Sequence, residues 1–208
     1  ARSQTSGERT PVEPILDELA VTLERIFQDK GVEIDWRCPD DLCFQGERQD
    51  LMELAGNVIE NAGKWCRGRI RVVATPTGEG RFSLVVDDDG PGIPEAEQDN
   101  IFKEFHRLNA RASASEGMGL GLAIVERACA LLGHPLGLTS RMGRGTCFMV
   151  QVPIADAVAP EAARIAGGRQ VTGVEVLAQA AKSRFGLPKP PQARSAAPPP
   201  KPAAPWSS

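Results

Sequence analysis

The sequence lacks the marks of several large protein classes. It has only two histidines, and its five cysteines include no pair in a CxxC spacing, so the two residue types do not form a zinc-binding pattern. No apolar run approaches the roughly 18 residues of a membrane-spanning helix, and the first residues do not resemble a signal peptide. The formal net charge of −3 gives no general attraction to nucleic acid or to an anionic membrane. The odd number of cysteines favours reduced thiols in a cytosolic setting.

The composition predicts one globular domain followed by an extension. A chain of 208 residues, 41% hydrophobic and 25% charged, is enough for one domain of good size plus an appendage. We expect a mobile segment at residues 1–10, the folded domain at residues 11–155 and a C-terminal extension at residues 156–208. Within the extension, residues 171–185 have apolar residues at helical spacing. Residues 186–208 are rich in proline and alanine and are expected to be disordered.

Helix and strand patterns are mixed along the domain. Helical spacing of apolar residues predicts helices at residues 11–30, 48–66, 95–102 and 120–133. Runs of β-branched and apolar residues predict strands at residues 32–37, 42–44, 69–75, 82–87, 136–140 and 146–153. In the last helix we expect the core-facing side to consist of Leu120, Ala123, Ile124, Ala128 and Leu131. Helices mixed with antiparallel-type hairpins indicate the α+β class, with helices over one face of a sheet.

One predicted helix, at residues 48–66, carries four polar side chains in a row. Glu53, Asn57, Asn61 and Lys64 fall within an arc of roughly 80° at about 100° per residue, beside the apolar face. Asparagine is a poor helix former, so two of them are unusual on a solvated face. On this stretch alone, an ordinary polar face and a ligand-binding face remain open.

The second stretch is a turn that contains Asp88, Gly90 and Gly92. Glycine lets a ligand approach the backbone closely. A carboxylate at the mouth of such a turn can accept a hydrogen bond from an exocyclic amine such as that of adenine. The alternative is a plain hairpin turn.

A third stretch, Gly117-Met118-Gly119-Leu120-Gly121, leads into a helix. The unpaired N–H groups and dipole at the start of a helix favour phosphate. The stretch follows no strand and no Lys-Ser or Lys-Thr pair comes after it, so neither the dinucleotide fingerprint nor the Walker loop applies. A flexible linker is the competing interpretation.

The fourth stretch is aromatic. Phe102 and Phe105 are expected to anchor in the core one end of a small polar loop, residues 109–116. Arg107 lies at the hinge of that loop, within reach of a terminal phosphate. The alternative is a surface arginine beside a core aromatic pair.

In this order and spacing, the four stretches resemble the catalytic ATP-binding domain of sensor histidine kinases, within the GHKL ATPase superfamily. The polar helix resembles the asparagine box, and the other three stretches resemble the first glycine box, the second glycine box and the phenylalanine box. The runs Asn-Val-Ile-Glu-Asn-Ala-Gly-Lys-Trp-Cys and Asp-Asp-Gly-Pro-Gly-Ile-Pro are most similar to the PhoQ-type branch. The resemblance covers about residues 10–155. It implies a Bergerat-type fold, a two-layer α/β sandwich whose mixed sheet is covered on one face by helices.

The resemblance implies a division of labour among the boxes. Asn57 and Asn61 are expected to hold Mg²⁺ against the triphosphate, since amide oxygens, phosphates and water suit that hard cation. Lys64 and Arg107 are expected to neutralise phosphate charge. Together with Glu53, they are the expected catalytic residues. In hydrolytic relatives the carboxylate at the position of Glu53 activates water, so in a histidine kinase we expect it only to orient Mg²⁺ or water.

The same resemblance implies an adenine end for the site. Asp88 is expected to accept a hydrogen bond from the adenine amine, and Trp65, where the family usually has Tyr or Phe, to stack on the ring. The other expected ATP contacts are Gly90, Gly92, Ile93, Gly117, Met118, Gly119, Leu120 and Gly121. Residues 109–116 are expected to form an ATP lid.

One family feature is missing from the sequence, the phosphoacceptor histidine followed by an acidic residue. His106 lies inside the phenylalanine box and His134 in a Gly-His-Pro turn, so both are interpreted as structural or surface residues. The first residue is Ala, and we expect the dimerisation helices and a sensor upstream of this chain.

We therefore expect the catalytic domain of a two-component sensor histidine kinase. It would transfer the γ-phosphoryl group of Mg-ATP to a histidine on a separate dimerisation domain, for relay to the receiver domain of a response regulator. The whole protein would be a homodimer in the inner membrane with this domain in the cytoplasm, and the domain alone would be a monomer without nucleic-acid partners. The alternatives are a GHKL ATPase clamp that uses Glu53 as base, an anti-sigma serine kinase, and a nucleotide-binding regulatory module without transfer activity.

Overall fold

The computed structural model of the chain describes residues 8–77, 80–103 and 120–155. The expectations for the ATP lid and for the C-terminal extension fall outside these ranges. So do those for Phe105, His106, Arg107, Gly117, Met118 and Gly119.

Seven strands and three α-helices make up the described chain. The strands are β1 (Arg9–Pro11), β2 (Glu33–Arg37), β3 (Cys43–Gln45), β4 (Arg69–Thr77), β5 (Arg81–Asp88), β6 (Leu136–Arg141) and β7 (Gly145–Pro153). The helices are α1 (Glu13–Ile26), α2 (Arg48–Trp65) and α3 (Gly121–Leu132). A turn of 3₁₀ helix follows α1 at Gln28–Lys30, and another lies at Glu95–Glu97.

The main sheet has five strands in the order β2-β4-β5-β7-β6. The β2–β4 pair is parallel, and the other three pairs are antiparallel. Two of the antiparallel pairs, β4–β5 and β6–β7, are hairpins, whereas β5–β7 joins segments that are distant in sequence. The mixed sheet confirms the expected fold class. A second, two-stranded sheet pairs β1 with β3, and the sequence pattern indicated no strand at β1.

The helices pack on one face of the main sheet. Leu84 on β5 and Val150 on β7 share a buried core with Leu16 on α1, Val58 on α2 and Val125 on α3. Side chains alternate along a strand, so the residues between the core-facing ones point to the opposite face. The domain is therefore a sheet layer and a helix layer, as the resemblance implied.

α1 ends at Ile26, four residues before the predicted end; Gly31 ends the 3₁₀ turn that follows it, and Gly133 ends α3. Gly31 and Gly133 have φ angles of 63° and 67°, the left-handed conformation that glycine adopts at helix C-termini. The first helix begins at Glu13, two residues later than predicted. Pro14 falls in its first turn, where backbone N–H groups have no partner within the helix, so the N–H group that proline lacks is not missed.

The predicted core face of α3 is wrong. The helix buries Leu122, Val125 and Cys129, whereas Ile124 is 40% and Leu131 is 67% exposed. Apolar residues occur on nearly every side of this helix, so their spacing does not select one face. The packing against α2 and the sheet selects it instead.

The helix predicted at residues 95–102 is also wrong, because only Glu95–Glu97 forms a 3₁₀ turn. Two side chains here bond to the backbone. The Gln98 amide donates to the carbonyls of Ile93 and Ser140, and the Asn100 amide donates to the carbonyl of Ala96. Such side-chain bonds compete with regular helix formation.

Candidate nucleotide-binding site

The polar edge of α2 lies where the sequence predicted it. Val58 and Ala62 on the inner side are buried, whereas Asn57, Asn61 and Lys64 are partly exposed along the border of that face. Their amide and ammonium groups are therefore held by a helix that is anchored in the core, and they remain accessible to a ligand.

Asn57 has a fixed orientation. Its Nδ2 atom donates to the carbonyl of Glu53 at 2.7 Å, one turn earlier. Its Oδ1 atom faces α3 and lies 3.0 Å from the position that a Cβ atom would take on Gly121. The asparagine stretch and the end of the second glycine stretch thus meet in space, although they are far apart in sequence.

Gly121 is the first residue of α3, and the flanking Leu120 makes no side-chain capping bond. The first N–H groups of a helix have no partner within the helix, and the helix dipole adds a partial positive charge there. Next to an amide oxygen that approaches from α2, this helix end is suited to a phosphate and its cation.

Lys64 lies in the last turn of α2. Its Nζ atom forms an ion pair with Glu60 Oε1 at 2.7 Å, and 27% of its side chain is exposed. Lys30 Nζ donates to the carbonyls of Gly63 and Lys64 at 2.9 and 2.8 Å, so a second ammonium group neutralises this helix end.

Glu53 is the outermost member of the polar row and is exposed. Together with Asp50, Val125 and His134 it lines a cavity of about 80 Å³ between α2 and α3. Burial and the nearby Arg81 lower the pKa of His134 to about 4, against the opposing effect of Asp50. His134 is therefore neutral at pH 7, in keeping with its interpretation as a structural residue.

Asp88, at the end of β5, is only 2% exposed. Its Oδ1 atom accepts hydrogen bonds from the backbone N–H of Gly90 at 2.8 Å and of Thr146 at 3.3 Å. Burial raises the pKa of Asp88 to about 6, although these two bonds act in the opposite direction. The carboxylate is ionised at pH 7, but at a cost that hydrogen bonds to a ligand would reduce.

The turn after Asp88 passes very close to the end of α2. A Cβ atom on Gly90 would lie 2.6 Å from the carbonyl oxygen of Trp65. Gly92 has a φ angle of 78°, and a Cβ atom there would collide with the carbonyl of Arg141. Only glycine fits at these two positions. The turn thus brings Asp88 and Trp65, the two residues expected at the adenine end, to the same part of the molecule.

Ile93 ends the turn and is 9% exposed. Its backbone N–H donates to Ser140 Oγ at 2.8 Å, and that hydroxyl also donates to the carbonyl of Gly145 at 3.0 Å. The β6–β7 hairpin therefore holds the end of the turn in place through the Ser140 hydroxyl.

Phe102 is the described end of the phenylalanine stretch. It is 3% exposed, and its ring meets that of Phe148 edge to face, with the centroids 6.2 Å apart. This is the core anchor that the sequence predicted for Phe102.

Asp89 was missed by the sequence reasoning. Its Oδ1 atom accepts from the backbone N–H groups of Arg67, Gly68 and Arg69 at 2.7, 3.2 and 3.3 Å. Burial opposes the charge, but these bonds outweigh it and lower the pKa of Asp89. Asp89 thereby fastens the start of the turn to the segment that follows α2. In the sequence, Asp89 is marked only by its position beside Asp88, and this position does not identify the backbone N–H groups that it binds.

Within the described ranges, no group of three His, Cys, Asp or Glu side chains could hold a metal ion. None of the helices described is both long and apolar enough to cross a membrane.

Comparison with known proteins places these features in a family. Residues 46–156 match the model of histidine kinase-, DNA gyrase B- and HSP90-like ATPases. The chain is 39% identical over 119 residues to the sensor protein PhoQ of Escherichia coli strain K12. It is 36% identical over 119 residues to the virulence sensor histidine kinase PhoQ of Salmonella typhimurium strain LT2. Both alignments cover 57% of this chain and 24% of the relative, so the chain spans about a quarter of the length of these proteins.

Solved structures of histidine kinases have the same fold. Full-length ShkA in complex with AMPPNP has a TM-score of 0.64 at 29% identity, with 77% of this chain and 34% of that chain covered. The mycobacterial sensor histidine kinase MprB has a TM-score of 0.61 at 27% identity, with 71% and 97% covered. The nucleotide-free catalytic domain of the histidine kinase ThkA, with a TM-score of 0.61 at 20% identity and 72% and 96% covered, shows the likeness of fold alone.

The family match covers more than half of the chain and includes α2, the Asp88 turn and α3. These are the elements that form the candidate site. The chain therefore belongs to the family of histidine kinase-, DNA gyrase B- and HSP90-like ATPases.

Proposed function

We propose that this chain is the ATP-binding catalytic domain of a two-component sensor histidine kinase. It transfers the γ-phosphoryl group of ATP to a histidine on a separate dimerisation domain, which passes it to an aspartate of a response regulator. The observation that carries the proposal is the approach of the Asn57 amide oxygen to Gly121 at the start of α3. This approach joins two of the stretches that the resemblance assigns to the triphosphate.

The adenine end of the site is assigned to the Asp88 turn. The Asp88 carboxylate accepts the hydrogen bond of the exocyclic amine, because it is ionised at pH 7 and a charged acceptor binds an amine more strongly than a neutral one. The close packing of Gly90 against the backbone carbonyl of Trp65 holds the turn beside the end of α2. Trp65 stacks on that ring, and the backbone of Gly92 and Ile93 lies below it.

The phosphate end is assigned to α2, the start of α3 and Arg107. The N–H groups at the start of α3 bind phosphate oxygens. The ATP contacts assigned to the stretch that leads into this helix are Gly117, Met118, Gly119, Leu120 and Gly121. Lys64 exchanges its ion pair with Glu60 for the triphosphate. A partly exposed ion pair of this kind contributes about 0.3–0.5 kcal/mol, so little stabilisation is lost when the ammonium group leaves Glu60. Arg107 contributes the second cation.

The donor atoms present fit Mg²⁺. The amide nitrogen of Asn57 is bonded to the helix backbone, so its oxygen is the atom directed towards α3, and amide oxygen is a ligand type that Mg²⁺ accepts. Asn57 and Asn61 are the residues that would hold the cation. When bound, it neutralises charge on the phosphates and leaves the protein to position them.

The chemistry needs positioning more than acid–base catalysis. The imidazole nitrogen of the acceptor forms a bond to the γ-phosphorus, the bond from that phosphorus to the β,γ-bridging oxygen breaks, and ADP leaves. Lys64, Arg107 and the start of α3 stabilise the negative charge that develops, which is the main demand of phosphoryl transfer. Glu53 orients water or the cation and takes no proton from the acceptor.

The rest of the protein enters as part of the proposal. The acceptor histidine belongs to dimerisation helices that precede this domain, the whole protein is a homodimeric membrane sensor, and this domain faces the cytoplasm. The sensor protein PhoQ of Escherichia coli matches this chain over about a quarter of its own length, which supports the assignment of this chain as one domain of a longer sensor protein.

The test combines nucleotide titration with phosphoryl transfer. The purified chain is mixed with γ-labelled Mg-ATP and with the part of Escherichia coli PhoQ that precedes the matched stretch. We expect ATP binding and an acid-labile phosphoryl group on the added PhoQ segment, both lost in Asn61→Ala. Steady ATP hydrolysis by the chain alone, abolished in Glu53→Ala, would instead assign an ATPase clamp. ATP binding with neither transfer nor hydrolysis would assign a regulatory module.

A further inference from the structure

The face of the main sheet that lies opposite the helices is buried. On β5, Leu84 and Val86 belong to the core that the helices share. The residues between and beside them, Ser83, Val85 and Asp87, point to the other face, yet they are only 0%, 7% and 6% exposed.

The neighbouring strands repeat this pattern. Cys147 and Met149 on β7 alternate with core residues and are each 1% exposed, and Thr139 on β6 is 5% exposed. Strand register places these side chains in adjacent rows, because Val85 pairs with Met149 and Asp87 with Cys147. We call this patch the rear face; it consists of Ser83, Val85, Asp87, Thr139, Cys147 and Met149.

The three described helices do not cover the rear face. None of its six residues belongs to the core cluster that contains α1, α2 and α3. These exposed fractions are those of a single copy of the chain, so a second copy is not needed to account for the burial. Two rear-face hydroxyls, Ser83 Oγ and Thr139 Oγ1, are buried without a hydrogen-bond partner. An apolar surface lying over them accounts for this.

We propose that residues 171–185 of the C-terminal extension form an amphipathic helix that packs across the rear face. In the sequence, the apolar positions recur at helical spacing, as Val171, Val174, Leu177, Ala181 and Phe185. A helix of 15 residues is about 22 Å long. The four strands from β4 to β6 together span about 14 Å, so this helix crosses the whole patch.

The chain leaves the domain in a position that suits this path. The described residues end at Ala155, two residues after β7, which is one of the rear-face strands. The 15 residues at 156–170 can reach about 50 Å when extended, far more than the return to the sheet requires. The family match ends at residue 156, so the proposed helix is an addition to the family domain.

Charge supports the same occupant. Asp87 brings a carboxylate to the rear face, where Arg71 Nη2 lies 3.4 Å from its Oδ2 atom. At about 100° per residue, Lys182 and Arg184 flank the apolar stripe on its two sides. A helix that lays its stripe on the rear face therefore brings two cations to the side of the sheet that carries Asp87.

Helix formation and docking are coupled in this proposal. An isolated helix of 15 residues is marginal in water, so residues 171–185 become helical only when their stripe is buried. A polar residue in the stripe should release the segment, whereas the same residue on the opposite side should not. Leu177 lies in the stripe, and Gln179 lies about 160° away from it around the helix.

The thiol of Cys147 gives a direct readout. We compare the full chain with Leu177→Asp and with the matched control Gln179→Asp, and follow thiol labelling by peptide mass spectrometry. If the segment is docked about nine-tenths of the time, Cys147 should react about tenfold faster in Leu177→Asp and at an unchanged rate in Gln179→Asp. Cys129, which is 2% exposed in the helix-side core, should stay unreactive in all three proteins.

Three results would overturn the proposal. Cys147 could react equally slowly in all three proteins, or as fast in the full chain as in urea. Alternatively, protection that increases with protein concentration would assign the cover to a second copy. If Cys129 also reacts in Leu177→Asp, the domain has unfolded, and the milder Leu177→Ala is then compared with Gln179→Ala by the same criterion.

Discussion

The amide oxygen of Asn57 lies 3.0 Å from the point at which a side chain would begin on Gly121. The first residue of α3 thus lies against the polar edge of α2, and glycine allows this close approach through its lack of a side chain and not through its backbone conformation. Anything larger has to displace the Asn57 amide or move the start of α3. This contact lets the proposed phosphate site be perturbed without touching the core.

Gly121→Ala should weaken ATP binding without destabilising the domain. Alanine stabilises a helix by up to about 1 kcal/mol relative to glycine, but its methyl group would displace the Asn57 oxygen. We expect about a tenfold loss of Mg-ATP affinity by titration calorimetry, and an unchanged or higher Tm. Gly56→Ala on α2 is the control, since its Cβ would be 3.4 Å from Leu19 Cδ2, an ordinary contact. Equal affinities in the two variants would remove the Asn57–Gly121 contact from the site.

Asn61→Ala should abolish measurable Mg-ATP binding with little change in stability. The side chain lies at the border of the buried face of α2 and is partly exposed, so its loss leaves no cavity in the core. Thermal melts should agree with the wild type within about 2 °C. Gln49→Ala, which removes an exposed amide from the same helix, should bind normally. Full affinity in Asn61→Ala would refute the assignment of this residue to Mg²⁺.

Glu60→Gln should strengthen ATP binding. In the free domain Lys64 Nζ is paired with Glu60 Oε1 at 2.7 Å. The substitution removes this charged partner, so Lys64 no longer has to break an ion pair before it binds the triphosphate. A partly exposed ion pair of this kind contributes about 0.3–0.5 kcal/mol, which corresponds to an increase in affinity of about twofold. Glu33→Gln on β2 makes the same change of charge away from the site and measures the general electrostatic effect. A loss of affinity in Glu60→Gln would mean that the pair positions Lys64 for ATP.

Asp88 should make both stability and ATP binding depend on pH. Burial raises its pKa to about 6, so between pH 4 and 6 the folded domain retains a proton that the unfolded chain releases. Its contribution to stability is therefore greatest below about pH 4 and is lost as the pH rises through 6. Asp88→Asn, which cannot ionise, should be about 1–3 kcal/mol more stable than the wild type at pH 8 and equal to it near pH 4. Chemical denaturation at several pH values measures this difference.

ATP affinity should show the opposite dependence at the same residue. The ionised carboxylate is the stronger acceptor for the adenine amine, so affinity should fall as the pH decreases below about 6. The phosphates of ATP titrate nearby, and Asp88→Asn serves as the control because it retains only their contribution. Parallel pH profiles for the two proteins would show that Asp88 does not contact the nucleotide.

His134 should destabilise the domain in acid. Burial lowers its pKa to about 4, so the folded domain excludes a proton that the unfolded chain binds below about pH 6.5. The contribution of His134 is present above pH 6.5 and is lost as the pH falls towards 4, by about 1–2 kcal/mol after allowance for partial exposure. His134→Gln should lose less stability than the wild type between pH 7 and pH 4.5, as measured by urea denaturation. An identical loss in both proteins would mean that this histidine is charged in the folded state.

The sequence predicted the elements whose signals are local. The apolar spacing in α2 identified both its length and the position of Asn57 and Asn61 at the edge of the buried side. Gly133 ends α3 and Gly31 ends the 3₁₀ turn after α1, because glycine itself favours the left-handed backbone conformation found at helix C-termini. Phe102 was correctly expected in the core, since a large aromatic side chain beside an apolar run is seldom left in water.

The sequence failed where the answer depends on distant partners. The exposed face of α3 was mistaken for the buried one, because Ile124 and Val125 are equally apolar and only the surrounding helices distinguish them. Asp89 was overlooked because its three partners are backbone N–H groups about 20 residues earlier, and a backbone group has no sequence signature. The support that Ser140 gives to Ile93 was missed for the same reason.

The pairing of β5 with β7 closes the chain into a large loop whose ends are fixed at one point. The carboxylate of Asp88 accepts a hydrogen bond from Thr146, and Gly145, with a φ of 99°, lies against the carbonyl of Asp88. The entropic cost of closing a loop grows only with the logarithm of its length, by about 0.6 kcal/mol for each doubling. Residues can thus be added or exchanged between 103 and 120 at little cost to the fold. We therefore expect this stretch of sequence, which the resemblance assigns to an ATP lid, to accept the corresponding segments of related kinases without loss of the fold.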